Sequence, residues 1–318
     1  MSSVTQMRFR RLRLLFRVGA LALTAVWLIG EVTRDRTWMT GLMFYIPSPF
    51  LTGVLWVAAI DVRLSRCQHE LSGSLFQRRS FPWLMLSLAP LAMTLFVENQ
   101  FTVAAPEANG QELRIVHWNV CRGGFDQTGL EDHLYSLQAN LWVVSEVPAG
   151  FRSPEDKCSL RLPTMLLVSD FPITYVSDHS EGNYRAHLVT WHTPTGDLQI
   201  VVADLPAFLS VAREPLLIRL MKLVTDSGAD LVIGDLNAPR RSRRLTQLPD
   251  GFRHGYEASG NGWSYTWPAQ LPLLAIDHCI VGPRVIPVAY ALDSTMLSDH
   301  RIQTIDVRFQ PLRREGER

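Results

Sequence analysis

The stretch LVIGDLNAP, residues 231–239, runs an apolar segment into a glycine and then sets Asp235 and Asn237 two positions apart. Leu, Val and Ile suit a strand covered on both faces. Asp and Asn at its exit are ordinary turn formers, because their short polar side chains hydrogen-bond nearby backbone. They are also oxygen donors of the kind that hold a hard cation. The rest of the chain decides between a turn and a site.

Working outward, seven more short runs read as strands: LRIVHWNV (113–120), LWVVSEV (141–147), TMLLVS (164–169), AHLVTWHT (186–193), LQIVVADL (198–205), AIDHCIV (275–281) and RIQTIDVRF (301–309). Helical patterns lie at GLEDHLYSLQA (129–139) and VAREPLLIRLMKLVTDSG (211–228). Strands apolar on both faces and mixed with helices predict an α/β or α+β domain whose sheets are covered by helices. Polar residues recur at the strand ends: Asn119, Glu146, Asp204, Asp235 and Asn237, with Asp277 inside one strand and Asp299-His300 just before the last. Loops held by a rigid sheet are where catalytic groups collect. Glu146, Asp235, Asp277 and Asp299 are hard oxygen donors, with Asn119 and Asn237 as neutral ones. That set suits Mg²⁺ or Mn²⁺ and not zinc. His300 with Asp277 makes a pair suited to acid–base or charge-stabilising work. Together they predict hydrolysis of a phosphate ester.

The tags HWN (Asn119), SEV (Glu146), GDLN (Asp235, Asn237), IDH (Asp277) and SDH (Asp299, His300) resemble, in order, the endonuclease/exonuclease/phosphatase superfamily. Its members include pancreatic deoxyribonuclease, apurinic endonucleases, neutral sphingomyelinases and inositol-polyphosphate 5-phosphatases. VSDFPI (168–173) is similar to a further family segment, and the resemblance runs from Leu113 to Phe309. It implies two packed mixed β-sheets flanked by helices, a four-layer sandwich. It also implies roles: Glu146 binds the metal with Asn119 beside it and Asp299 near, Asp235 orients or deprotonates water, and Asn237 holds the scissile phosphate. His300, oriented by Asp277, stabilises the transition state. One position departs from the pattern, because many members place a His where Asp204 stands. An acidic group there repels a phosphate unless it is protonated or metal-bound. Asp204 either weakens catalysis, adds a metal ligand, or is compensated by a neighbour such as His117.

The run RRSRR after the GDLN loop, with Arg240 and Arg241, reads as a solvated patch or as a flank that grips substrate phosphate. WSYTWP (263–268) reads as core packing or as a stacking platform. His133, His179, His187, His192 and His254 read as surface or structural.

The chain has 318 residues, a net charge of +1 and a hydrophobic share of 47%. No global basic field points to nucleic acid. The apolar residues are unevenly spread, with segments at 14–30, 38–60 and 82–97. A span needs about 20 residues, so the first and third are short and Pro47 and Pro49 interrupt the second. Residues 1–98 are expected to form a membrane region of about three helices, 99–111 a linker, and 112–318 the catalytic domain. Arg8, Arg10, Arg11 and Arg13 at the start, and Arg63, Arg66, Arg78 and Arg79 before the third segment, place those ends in the cytoplasm. With three spans the catalytic domain then lies outside, on a bacterial inner or plasma membrane; a re-entrant second segment reverses this. Cys121, Cys158 and Cys279 would share that domain, with a Cys121–Cys158 disulfide or three buried thiols as the alternatives. The expected protein is thus a membrane-tethered, nuclease-like phosphoesterase using Mg²⁺ or Mn²⁺. Its substrate is nucleic acid or a phospholipid or sphingolipid headgroup, and no obligate protein partner is evident. A non-catalytic scaffold retaining the fold is the reading of a different class.

Overall fold

A computed structural model of the chain describes residues 3–64, 74–101, 112–125 and 128–310. It divides into two compact units, Met1–Asn99 and Gln100–Arg318. Arg66, Cys67 and residues 102–111 of the expected linker lie outside the described residues, as do the side chains of Arg78 and Arg79.

The first unit is helical: α1 (Ser3–Thr33), α2 (Trp38–Phe44), α3 (Ser48–Leu64) and α4 (Ser74–Ala92), the last continued by a π turn at Met93–Glu98. Met7–Thr33 and Ser80–Glu98, 27 and 19 residues, are each long and apolar enough to cross a membrane. Both helices outrun the apolar segments that flagged them, because the Arg-rich start of α1 and the π turn continue the backbone hydrogen bonding. The second segment is broken instead: α2 and α3 are bent by 58°, and count as a further span only if the pair acts as one. Pro49 lies in the first turn of α3, where a missing N–H costs nothing. Buried Trp27, Leu51 and Leu55 form the small core of this unit.

The second unit holds β1 (Leu113–Asn119), α5 (Leu130–Ser136), β2 (Leu141–Ser145), β3 (Cys158–Arg161), β4 (Met165–Ser169), β5 (Ile173–Asp178), β6 (Arg185–Thr193) and β7 (Gly196–Asp204). It continues with α6 (Arg213–Ser227), β8 (Leu231–Asp235), β9 (Arg253–His254), α7 (Gly255–Ser259), β10 (Asp277–Val281), β11 (Val285–Asp293) and β12 (Ile302–Phe309). Two six-stranded mixed sheets result, in the orders β11-β12-β1-β2-β4-β3 and β5-β6-β7-β8-β10-β9. Alternate residues of the central strands fill the space between the sheets, among them Ile115, Val143, Ile200, Val202, Ile233, Cys279 and Ile305. The opposite faces pack on helices: Val116, Trp118 and Val144 meet Leu130 and Leu134 of α5, and Val201, Ala203 and Val232 meet Leu217 and Leu220 of α6. This is the expected four-layer sandwich.

At one end the inward-facing positions turn polar. Ile115 is followed two residues on by His117 and then Asn119, Val143 by Ser145, Val202 by Asp204 and Ile233 by Asp235. Asp277 precedes Cys279, and Gln303 precedes Ile305. All seven of these polar residues are buried. A period of two keeps each of them on the face that its apolar predecessor occupies. Cys121 is half-buried, Cys158 exposed and Cys279 buried, and all three are free. The expectations of a disulfide and of three buried thiols are therefore both corrected.

Candidate active site

The sheet register sets Asp235 directly beside Asp204 on β7 and beside Asp277 on β10. Three carboxylates thus share one buried row. Burial, and then the neighbouring Asp277, hold the Asp235 carboxyl well above its ordinary range. Asn119 Nδ2 donates to Asp235 Oδ2 at 2.9 Å, and the Asn237 backbone N–H donates to Oδ1 at 2.8 Å. His300 Nδ1 lies 2.9 Å from Asp277 Oδ2, and its Nε2 lies 3.8 Å from Asp235 Oδ2. Burial alone would discharge this imidazole, but the Asp277 charge and hydrogen bond overcome it and push the His300 pKa up to about 10. Asp277 is in turn held down by His300 against the opposing effect of burial. One oxygen of Asp277 and one of Asp299 are buried without a hydrogen-bond partner.

Glu146 stands just past β2, 3.4 Å from Asn119 Nδ2 and 3.4 Å from Arg122 Nε. After burial, Asp299 and then Glu146 raise the Cys121 thiol, to about 11, so both carboxylates converge on that residue. Glu146, Asn237, Cys121 and Arg122 hold four of the six positive-φ backbones found at non-glycine residues among the described residues. Such strain costs about 1–3 kcal/mol per residue and gathers at functional sites. A divalent cation fits this donor set on chemical grounds. The buried Asp235, Asp277 and His300 carry potential ligand atoms within 4.8 Å of one another, but a protonated His300 cannot ligate, so the donors open to a cation are the half-buried carboxylates of Glu146 and Asp299. Adjacent buried carboxylates and orphaned carboxylate oxygens are what a hard cation relieves.

The structure therefore brings together Asn119, Glu146, Asp235, Asn237, Asp277, Asp299 and His300. Asn237 donates to the Leu205 carbonyl through Nδ2 at 2.8 Å, which fixes the amide at the exit of β8. Asp204 lines a cavity of about 450 Å³ together with Glu146, Arg122, Arg185, Thr164 and Phe208. Burial and the charge of Glu146 push its pKa up to about 6. His117 does not compensate there, since it is buried between Ser145 Oγ at 3.0 Å and Gln303 Nε2 at 2.7 Å. Arg240 is buried. Its guanidinium stacks on Tyr256, 4.5 Å from the ring, and its Nε lies 3.3 Å from Glu257. Arg241 is half-buried on the same loop, while Arg243 and Arg244 pair with Glu214 at 3.1 and 3.4 Å.

Several supporting residues escaped the sequence reading. Trp267 Nε1 donates to Asp299 Oδ2 at 3.0 Å, Ser298 Oγ to the Asn119 carbonyl at 2.7 Å, and Trp118 Nε1 to the His300 carbonyl at 3.1 Å. The Asp277 and Ile276 backbone N–H groups both donate to Thr266 Oγ1 at 3.1 Å. Ser298 lay inside the SDH tag. Trp118 and Ile276 lay inside the HWN and IDH tags, and Thr266 and Trp267 inside WSYTWP, but their partners stand 10 to 182 positions away and so could not be read.

Two buried imidazoles beside the site make the fold acid-sensitive. Burial lowers His117 to about 4 and His278 to about 3. Both are neutral in the folded protein, whereas the unfolded chain takes up these protons near 6.5. The stability they contribute is fully present above about pH 6.5 and is lost as pH falls toward 4 and 3. Each histidine then removes about 1.4 kcal/mol per pH unit. The raised carboxyls of Asp204 and Asp235 oppose this, taking up protons in the folded state over the same range, so the test is a comparison: on going from pH 7.5 to 5, the Tm of His278→Gln is expected to fall less, or rise more, than that of the parent. Parallel Tm profiles of the two proteins contradict the neutral-imidazole reading.

The family model for the endonuclease/exonuclease/phosphatase family matches residues 116–300, and the chain belongs to that family. Members are hydrolases of phosphoester bonds and use divalent metals. Among solved structures, a humanized Danio rerio TDP2 has 15% identity and a TM-score of 0.52, covering 62% of this chain and 99% of that one. A truncated Caenorhabditis elegans TDP2 has 16% identity and a TM-score of 0.51, covering 64% and 100%. A family protein from Bacteroides thetaiotaomicron has 10% identity and a TM-score of 0.50, covering 63% and 99%. At such identities these likenesses speak to the fold alone. No curated protein matches the chain.

Proposed function

We propose that the chain is a membrane-tethered, divalent-metal-dependent phosphoester hydrolase, working between the polar ends of its two sheets. The observation that carries this reading is the convergence of Asn119, Asp235, Asp277 and His300, all buried, with the half-buried Glu146 and Asp299, drawn from both sheets, on one cluster. Asp235, steadied by Asn119 and the Asn237 N–H, orients a water toward phosphorus and takes its proton. Its raised proton affinity suits a base. His300, kept cationic by Asp277, presents Nε2 to the phosphoryl oxygens as charge gathers on them. The bond from phosphorus to the leaving oxygen breaks as the water oxygen bonds. Glu146 and Asp299 would hold the cation, with Asn119 beside them. When bound, the cation withdraws charge from a phosphoryl oxygen and eases departure of the leaving group. Met7–Thr33 and Ser80–Glu98 would tether the chain; with the bent α2–α3 pair as a third span the Lys and Arg distribution favours a catalytic unit outside the cytoplasm, and with two spans the unit would face the cytoplasm.

The test uses the full chain in detergent with bis(p-nitrophenyl) phosphate and, separately, p-nitrophenyl phosphate. Turnover with Mg²⁺ or Mn²⁺ is expected, falling at least about 10³-fold with a chelator and returning when the metal is restored. Asp235→Ala is expected to match the chelated enzyme. Turnover indifferent to chelation and to Asp235→Ala would mean that these residues do not form a metal-dependent centre.

A further inference from the structure

We propose that the substrate is a membrane phospholipid, its phosphoester taken between the sheets and its acyl region met by an apolar rim of Phe208, Leu209, Leu271 and Met296. This deepens the hydrolase reading and rests on it. The four are the most exposed large apolar side chains among the described residues of the second unit, at 61, 52, 66 and 73%. Single exposed apolar residues are ordinary on a protein surface. These are not scattered. Phe208 lines the cavity that Glu146 and Asp204 share, and Leu209 follows it on the loop leaving β7.

Leu271 and Met296 belong to two loops laced together around Asp299. The Ala269 N–H donates to the Asp299 carbonyl at 2.6 Å, Gln270 Nε2 to the Ser298 carbonyl at 3.2 Å, and Ser294 Oγ to the Ala269 carbonyl at 3.2 Å. Met296 lies three residues before Asp299. One apolar pair thus accompanies Asp204 and the other accompanies Asp299. The remaining exposed large apolar residues of this unit, such as Tyr175 and Val176 on the edge strand β5 and Ile218 on α6, are each less exposed than the rim.

Nucleic acid fits this surface poorly. A groove for single strands combines a basic track with aromatic platforms. Here the rim is mostly aliphatic, and the RRSRR run gives Arg240 to Glu257 and Arg243 and Arg244 to Glu214. Arg122, beside Glu146, and Arg185, whose Nη1 donates to the Gly182 and Tyr184 carbonyls, line the cavity and give it positive charge for a headgroup phosphate. A phosphate site rimmed by aliphatic side chains, in a chain that also carries helices able to cross a membrane, matches an amphiphile lying in the same bilayer.

The experiment reconstitutes the full chain in vesicles of equimolar phosphatidylcholine, phosphatidylethanolamine, phosphatidylglycerol and sphingomyelin, with Mg²⁺ and with Mn²⁺. Bis(p-nitrophenyl) phosphate and single-stranded DNA are the water-soluble probes. Hydrolysis of one lipid class is expected. Leu271→Ser/Met296→Ser should lower the ratio of lipid to soluble-diester turnover about ten-fold, or about 1.4 kcal/mol, mainly through KM. Equal effects of the variant on both probes overturn the rim. Turnover of the soluble diester or of DNA with every lipid intact overturns the lipid assignment and leaves the hydrolase standing. No turnover of any probe overturns the hydrolase reading, and the lipid assignment with it.

Discussion

His300→Ala is expected to lower kcat on a phosphodiester by about 10³-fold while the protein remains folded. The side chain is a buried cation, since its Nδ1 lies 2.9 Å from Asp277 and its pKa is pushed up to about 10. A donor aimed at developing oxyanion charge is worth about 10²–10³ in kcat. A positioned acid–base group contributes about 10²–10⁴. In either capacity of the proposed mechanism, a loss well beyond ten-fold follows. Asp277→Asn should cost a comparable factor, because the imidazole then loses the charge that keeps it protonated. The double variant should be little worse than either single one, since the two residues act as a unit. Steady-state kinetics on the three variants, with Tm as the folding control, make the check. A loss below ten-fold in His300→Ala at unchanged Tm would remove His300 from the chemistry.

Gly234→Ala should prevent the catalytic unit from folding. Gly234 has a φ of +149°, a conformation that L side chains rarely adopt. A Cβ added there would meet the Ala203 carbonyl oxygen at 1.8 Å and its carbon at 2.8 Å. Both atoms are backbone of β7, paired with β8 in the middle of a sheet, so neither can move without breaking the ladder. The cost exceeds the roughly 4–5 kcal/mol that marks an exceptional substitution. That is a large share of the whole stability of a domain, about 5–15 kcal/mol. Expression of the full-length variant should yield aggregated or proteolysed material, and recovery of a protein with the parent's Tm contradicts the geometry. The glycine in LVIGDLN is therefore structural. Its lack of a side chain lets β7 approach closely and brings Asp204 level with Asp235.

All eight strands that the sequence announced are interior strands of the two sheets, and all four that it did not announce are the edges: β3, β5, β9 and β11. An interior strand is covered on both faces and reads as a continuous apolar run. An edge strand need not be so, as β5 shows with Thr174, Tyr175 and Val176 exposed. In β11 the register shifts between Pro287 and Ala289, and proline is tolerated at such a bulge on an edge. The basic run is unreadable from sequence alone for a related reason. Sequence shows five adjacent polar positions, but only the fold reveals Tyr256, Glu257 and Glu214 waiting for Arg240, Arg243 and Arg244.

What the sequence determined by itself is the chemistry at each strand end. Period-two alternation carries Asn119, Asp204 and Asp235 on the same face as the apolar residues before them, and a reader of one chain can see that. What only the tertiary structure decided is which of these ends meet. Asn119 and Asp235 are 116 positions apart yet joined at 2.9 Å, because two sheets pack face to face with their polar ends aligned. Burial there changes what the residues are, leaving Asp235 eager for a proton, His300 charged and His117 neutral. Charge state in a low-dielectric interior depends on neighbours a few ångströms away, and the linear order of the chain does not contain those distances.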